Sequence, residues 1–157
     1  MSWRAADRAE LSERAIAADG PDYVLDVQVG HLLRRAHQRH AAIFQAMMGD
    51  DQLTPLQFAA LMKLADVGET SQNQLGRLTA MDAATMQGVI KRLIVRGLLE
   101  RRADPGDRRR LLLTLTPAGR EITGRAAELG LGISERTLEP LTAAERATFL
   151  RLLAKLS

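Results

Sequence analysis

The chain has 157 residues, 46% of them hydrophobic, 26% charged and only 3% aromatic. That is enough for one domain with extra ends, built around an aliphatic, helix-suited core. It contains no cysteine, which excludes disulfides, thiolate zinc sites and sensing by thiol oxidation. No apolar run approaches the roughly 20 residues needed to span a bilayer. Arg4, Asp7, Arg8 and Glu10 occupy the stretch where a signal peptide needs apolar residues. The expectation is a cytoplasmic protein with no membrane partner.

Residues 1–22 read as an arm or a short helix around Ala5–Ala17, ending at the breaker Asp19-Gly20-Pro21. From Tyr23 a long helix follows, with Leu25, Val29, Leu32, Ala36, His40, Ile43 and Met47 spaced by threes and fours. Gly49-Asp50-Asp51 stops it. Thr54-Pro55 with Gln57 spells an N-cap, a first-turn proline and a capping-box partner. That helix carries Leu56, Ala60, Leu61 and Leu64 and ends near Gly68. Ser71 with Gln74 repeats the capping pattern for a short helix through Leu78. Asp82 caps another that runs to Arg96, where Gly97 and Leu98 suit a left-handed C-terminal closure.

Leu98–Arg102 and Arg108–Thr116 read as two strands around the turn Asp104-Pro105-Gly106-Asp107. Thr116-Pro117 opens a helix bearing Ile122, Ala126, Leu129 and Ile133. Thr142 and Glu145 form a capping box for a last helix with Phe149, Leu152, Leu153 and Leu156. The expected fold is mainly α with a small β-wing. It is a winged helix-turn-helix over 53–116, flanked by dimerisation helices in 23–52 and 117–157.

Charge sharpens this picture. Eight basic residues face three acids between Lys91 and Arg110, a window of +5 in a chain of net +3, so the remainder carries −2. Such a cluster alone is a solvated face. Here it lies on a helix that follows a four-residue link, Thr79-Ala80-Met81-Asp82, and on the hairpin after it. Met86, Val89 or Ile90, Leu93 and Ile94 form the stripe expected to be buried, leaving Ala83, Thr85, Gln87, Gly88 and Lys91 outward. A recognition helix presents its first turns to base edges in the major groove. Threonine and glutamine hydrogen-bond there, and methyl groups contact thymine. Asp107-Arg108-Arg109-Arg110 puts guanidinium groups on a projection suited to a narrow minor groove. Ser71, Gln72, Asn73 and Arg92 complete the candidate DNA-contacting set, with double-stranded DNA as the partner. The alternative is a winged helix used for protein–protein contact. No phosphate-cradling glycine loop, nucleophile motif or metal-ligand pattern points to an enzyme, a cofactor or a metal.

The segment Leu93-Ile94-Val95-Arg96-Gly97-Leu98-Leu99-Glu100-Arg101, the tip Asp107-Arg108-Arg109 and the run Leu115-Thr116-Pro117-Ala118-Gly119 resemble the MarR family of winged-helix regulators. The resemblance spans about Val24 to Leu156. It implies a homodimer held by the terminal helices on a pseudo-palindromic operator. It also implies release by a small, often aromatic, acidic ligand bound between the dimerisation and DNA-binding regions. By the family's pattern Asp107 and Arg109 take wing-tip roles, while Thr85 and Gln87 fall where bases are contacted. Ala84 stands where a serine is frequent, and Gly88 where a larger polar residue is usual.

The first helix, with Ser71–Leu93, is similar to a subgroup of repressors governing nicotinate and hydroxynicotinate degradation. An aromatic carboxylate needs a cation and an apolar slot. The candidates are His31, Arg34, Arg35, His37, Arg39 and His40, with Phe44, Leu61 and Met62. His31 and His40 lie about 180° apart on a helix and cannot converge on one metal within a subunit.

Overall fold

A computed structural model describes residues 23–49, 52–107 and 111–156. The expectations for residues 1–22 and for Arg108, Arg109 and Arg110 lie outside the described residues. The elements in chain order are a 3-10 turn at Leu25–Val27, α1 (Val29–Met47), α2 (Pro55–Val67), β1 (Glu69–Ser71), α3 (Gln72–Leu78), α4 (Ala83–Val95), β2 (Leu99–Ala103), β3 (Leu111–Leu115), α5 (Pro117–Leu138) and α6 (Ala143–Leu153). The mainly helical fold with a small antiparallel wing is the one the sequence led to. The chain divides into two compact units, Met1–Ala42 and Ile43–Ser157.

In the first unit the long helix begins at Val29 rather than Tyr23. Ahead of it, Gln28 is extended and its backbone N–H closes the 3-10 turn on the Leu25 carbonyl. Leu25 therefore belongs to that turn and not to the helical stripe. Tyr23, Leu25, Val29, Leu32 and Leu33 are all exposed.

In the second unit the helix starts follow from capping side chains. The Thr54 hydroxyl accepts from the Gln57 N–H at 3.2 Å, and Gln57 Oε1 accepts from the Thr54 N–H at 3.0 Å, a complete capping box. Thr142 and Glu145 form a second. Ser71 Oγ caps α3 by accepting from the Gln74 N–H at 3.3 Å. The reciprocal half of that pattern is missing, because the Gln74 side-chain oxygen accepts from Arg77 instead. Between α3 and α4, Met81 N–H donates to the Gly76 carbonyl at 2.9 Å and Ala80 takes a left-handed φ of 52°. A Cβ on Gly76 would stand 3.1 Å from the Met81 carbonyl oxygen, so a hydrogen atom there keeps the turn tight.

The sheet order is β1-β3-β2, all antiparallel. β1 is absent from the sequence reading. Three residues, Glu-Thr-Ser, carry no hydrophobic alternation, and the strand exists because Thr70 pairs with Leu113 far along the chain. Leu61, Leu64, Leu75, Met86, Val89, Ile90, Leu93, Leu99, Leu113, Leu115, Ala126 and Ile133 form one core with Phe44 and Met48. Phe44 meets Phe58 edge-on, with ring centroids 5.6 Å apart. α5 thus contributes to the same core as 53–116, beyond the dimerisation role expected of it.

One junction ties α4, the wing and α5. Gly97 adopts a φ of 69° and ends α4 as expected. The Thr116 hydroxyl donates to the Gly97 carbonyl at 2.6 Å and accepts from the Gly119 N–H at 3.0 Å. The Thr116 N–H donates to the Leu98 carbonyl at 3.1 Å. A Cβ on Gly119 would sit 2.0 Å from that same carbonyl oxygen, backbone that has no room to yield. Gly124, one turn later, would meet nothing within 4 Å. Gly119→Ala is expected to destabilise by about 3 kcal/mol or prevent folding, whereas Gly124→Ala should stabilise by about 0.5–1 kcal/mol. Urea unfolding of the two variants checks this contrast.

Candidate nucleic-acid interface

The helix α4 is divided lengthwise. Met86, Val89, Ile90 and Leu93 are essentially inaccessible and Ile94 is half-buried against the core. At 100° per residue, Ala84, Gly88, Lys91 and Val95 form the opposite stripe. Ala84, Lys91 and Val95 are exposed and Gly88 is half-buried. Val95, at 80% exposure, has no apolar reason to be there. Ala83 and Gln87 flank one side of the stripe, exposed; Thr85 and Arg92 flank the other.

The Arg92 guanidinium is folded over Gly88. A Cβ built on Gly88 would find Arg92 Nη1 at 3.5 Å and Nη2 at 3.7 Å, ordinary contact distances to a mobile group. The fold therefore does not require glycine at this position. The helix opens on Asp82, whose Oδ1 accepts from the Thr85 N–H at 2.8 Å and whose Oδ2 accepts from the Thr85 hydroxyl at 2.7 Å. The backbone hydrogen bond from Thr85, then that from its side chain, hold the Asp82 carboxyl below its usual range.

The other candidates lie close in sequence but on different elements. Ser71, Gln72 and Asn73 occupy the start of α3, with Asn73 exposed and the other two half-buried. Ser71 is engaged as the cap. In the wing the Asp104 side chain accepts from the Gly106 N–H at 2.8 Å, an Asx turn that starts the tip, and Asp107 is exposed. Arg101 and Arg102 are exposed on β2. Arg102 Nε lies 3.5 Å from Glu69 Oε2 on β1, so part of the basic charge counted in the sequence is paired.

Of the ligand candidates in the first unit, His31 is half-buried with Nε2 3.4 Å from Asp26 Oδ1 and Nδ1 3.4 Å from Arg34 Nη2. Arg35 Nη1 approaches the same Asp26 oxygen at 4.0 Å. His37 and Arg39 are exposed and His40 is half-buried. Asp26, which the sequence reading passed over, is thus the acid that this group shares. In the second unit Phe44 and Leu61 are core residues, at 3% and 0% exposure. Met62 instead reaches a cavity of about 420 Å³ lined also by Ala65, Gly68, Leu115, Arg120 and Ala127. Arg120 was not among the candidates; its place just after the Thr-Pro-Ala-Gly helix start gave no hint of a cavity. Its Nη1 donates to the Leu115 carbonyl at 2.7 Å.

Among the described residues no helix is long and apolar enough to cross a membrane. A family model described as MarR family matches residues 51–110. The transcriptional repressor NicR of Pseudomonas putida is 44% identical over 138 residues, covering 88% of this chain and 87% of that one. A crystal structure of a probable transcriptional regulator from Pseudomonas aeruginosa superposes with a TM-score of 0.83 at 50% identity, over 85% of this chain and 100% of that chain. Bordetella bronchiseptica BpsR, whose DNA binding is regulated by 6-hydroxynicotinic acid, gives 0.82 at 46% identity, over 87% and 97%. With a winged helix-turn-helix and similarity running through nearly its whole length, the chain belongs to the MarR family of transcriptional regulators and is not an enzyme.

Proposed function

We propose that the chain acts in the cytoplasm as a homodimeric repressor that holds a pseudo-palindromic operator and lets go when a small aromatic acid binds. The observation that carries the DNA reading is the lengthwise division of α4. A helix sealed along Met86, Val89, Ile90 and Leu93 turns Ala84, Gly88 and Lys91 the other way. Small residues along that outer stripe let the helix axis approach base edges closely, with Gln87 and Thr85 on either side to hydrogen-bond. Lys91, Arg92 and the start of α3 at Ser71, Gln72 and Asn73 suit phosphates. The sequence Asp107-Arg108-Arg109-Arg110 supplies an acid and three guanidinium groups of the kind that suit a minor groove.

Dimerisation is supported by apolar side chains left in water. The first unit exposes Tyr23, Leu25, Val29, Leu32 and Leu33; the second exposes Leu131, Phe149, Leu150, Leu152 and Leu156. Covering them with a second copy stabilises at roughly 25 cal/mol per Å² of apolar area. Two-fold symmetry then sets two α4 helices about one DNA turn apart.

The effector reading rests on chemistry and on relatives. NicR is a repressor and BpsR responds to 6-hydroxynicotinic acid. Here Arg34, Arg35 and Arg39 with His31, His37 and His40 on α1 supply partners for a carboxylate, and Arg120 supplies one in the cavity beside Met62.

Four measurements test the proposal. The protein should sediment as a dimer and prefer an inverted repeat to random DNA, with affinity falling steeply with salt at a log–log slope of about −0.9 per phosphate neutralised. Arg109→Ala should weaken binding and flatten that slope; unchanged binding removes the wing. Gly88→Ala should raise stability by up to about 1 kcal/mol yet weaken operator binding by on the order of tenfold through steric crowding. Equal affinity in both proteins refutes close approach at that position. Calorimetry should detect 6-hydroxynicotinic acid or a related aromatic acid, with operator release. Loss of that heat in Arg34→Ala assigns the carboxylate to α1, and loss in Arg120→Ala assigns it to the cavity; no heat from any aromatic acid refutes the effector.

A further inference from the structure

A threonine hydroxyl has one proton to donate and two lone pairs with which to accept. In Thr85 the proton points to Asp82 Oδ2 at 2.7 Å, while the neighbouring backbone N–H points to Asp82 Oδ1 at 2.8 Å. An ionised carboxylate only accepts, so the direction of both bonds is set. An exposed aspartate is ionised at neutral pH, and the same bonds lower the Asp82 pKa further. A second partner approaching Thr85 from outside meets its methyl group and lone pairs.

We infer that Asp82 sets the hydrogen-bonding polarity of Thr85 and thereby the class of base this position reads: one presenting an amino hydrogen in the major groove, adenine through N6 or cytosine through N4. Guanine offers only acceptors there, and thymine offers an acceptor and a methyl group; their acceptors face the Thr85 lone pairs with no proton between them. Asp82 is a positioning residue that acts through Thr85 and touches no base itself. This rests on the reading that α4 enters the major groove, and the two separate experimentally.

The discriminating variant is Asp82→Asn. Asparagine caps helices about as well as aspartate, so α4 keeps its start. The amide oxygen continues to accept from the Thr85 N–H, which turns the NH₂ group toward Thr85 Oγ1. The hydroxyl then accepts from that amide, and its own proton is released outward. Thr85 becomes a donor, and the favoured partner becomes an acceptor edge, guanine or thymine.

The experiment is selection of bound duplexes from a random pool by the full chain, wild type against Asp82→Asn, Thr85→Val and Thr85→Ser, with unfolding midpoints to verify folding. Wild type and Thr85→Ser should enrich adenine or cytosine at one position of each half-site. Thr85→Val, isosteric but without the hydroxyl, should lose roughly fivefold to tenfold selectivity at that position alone. Asp82→Asn should move the preference there to guanine or thymine. The inference is overturned if Asp82→Asn keeps the wild-type preference, or if Thr85→Val changes no position. A wild-type pool with no enriched motif would instead overturn the DNA reading itself. Should Asp82→Asn fail to fold, the selected duplex decides with the amino group removed from the adenine or cytosine at the position that Thr85→Val erases (purine for adenine, pyrimidin-2-one for cytosine): wild-type affinity that does not fall refutes the assigned polarity.

Discussion

Met86, Val89, Ile90 and Leu93 are almost wholly withdrawn from water, and the orientation of every other residue on α4 follows from that. Burying such side chains is worth about 1.5–3 kcal/mol each, far more than any polar group on the opposite face gains by turning inward. The helix therefore cannot roll. Its outer stripe of Ala84, Gly88, Lys91 and Val95 is held away from the core by the packing of the inner one, at the cost of leaving an apolar valine in water and a half-buried glycine beneath the Arg92 guanidinium. Preorganisation of this kind lets a regulator meet DNA without first reordering a helix.

The same logic extends to the wing. The Leu98 carbonyl accepts the Thr116 N–H and lies where Gly119 has no side chain, and the Thr116 hydroxyl reaches the Gly97 carbonyl. The end of α4, the beginning of β2 and the start of α5 are thus one hydrogen-bonded junction with no slack. β3 pairs with β1 on one side and β2 on the other, so the hairpin is anchored in a three-stranded sheet instead of projecting as a marginal two-stranded ribbon. The Arg102–Glu69 pair joins the outer strands across β3, although at that exposure it contributes little energy.

Charge is distributed between the two units with different chemistry. In the second, Lys91 and Arg92 on α4 and Arg101 and Arg102 on β2 are exposed, as a polyanion requires. In the first, Asp26 gathers His31 and Arg35, with Arg34 at the other ring nitrogen of His31, a small network in which cations already have an acid or an imidazole beside them. An incoming carboxylate there competes with Asp26 for the same donors. At the Met62 cavity the Arg120 guanidinium has a carbonyl partner instead, and a carboxylate would add to that bond without displacing an acid.

Local chemistry is what the sequence by itself determined. Thr54 with Gln57, Asp82 with Thr85, and Thr142 with Glu145 act over three residues, so their helix starts were legible, as were the four-residue link, the left-handed Gly97 and the outward set on α4. A helical period also separates buried from exposed faces, which is why Met86 to Leu93 could be assigned to the core. The tertiary structure decided whatever depends on partners far along the chain. β1 exists only because Leu112 to Thr114 lie beside it, Leu61 and Phe44 were drawn into the core, and Arg120 met a cavity bounded by α2 and β3. A side chain's neighbours within one turn are written in its own segment; those brought together by burial depend on where the rest of the chain goes to escape water.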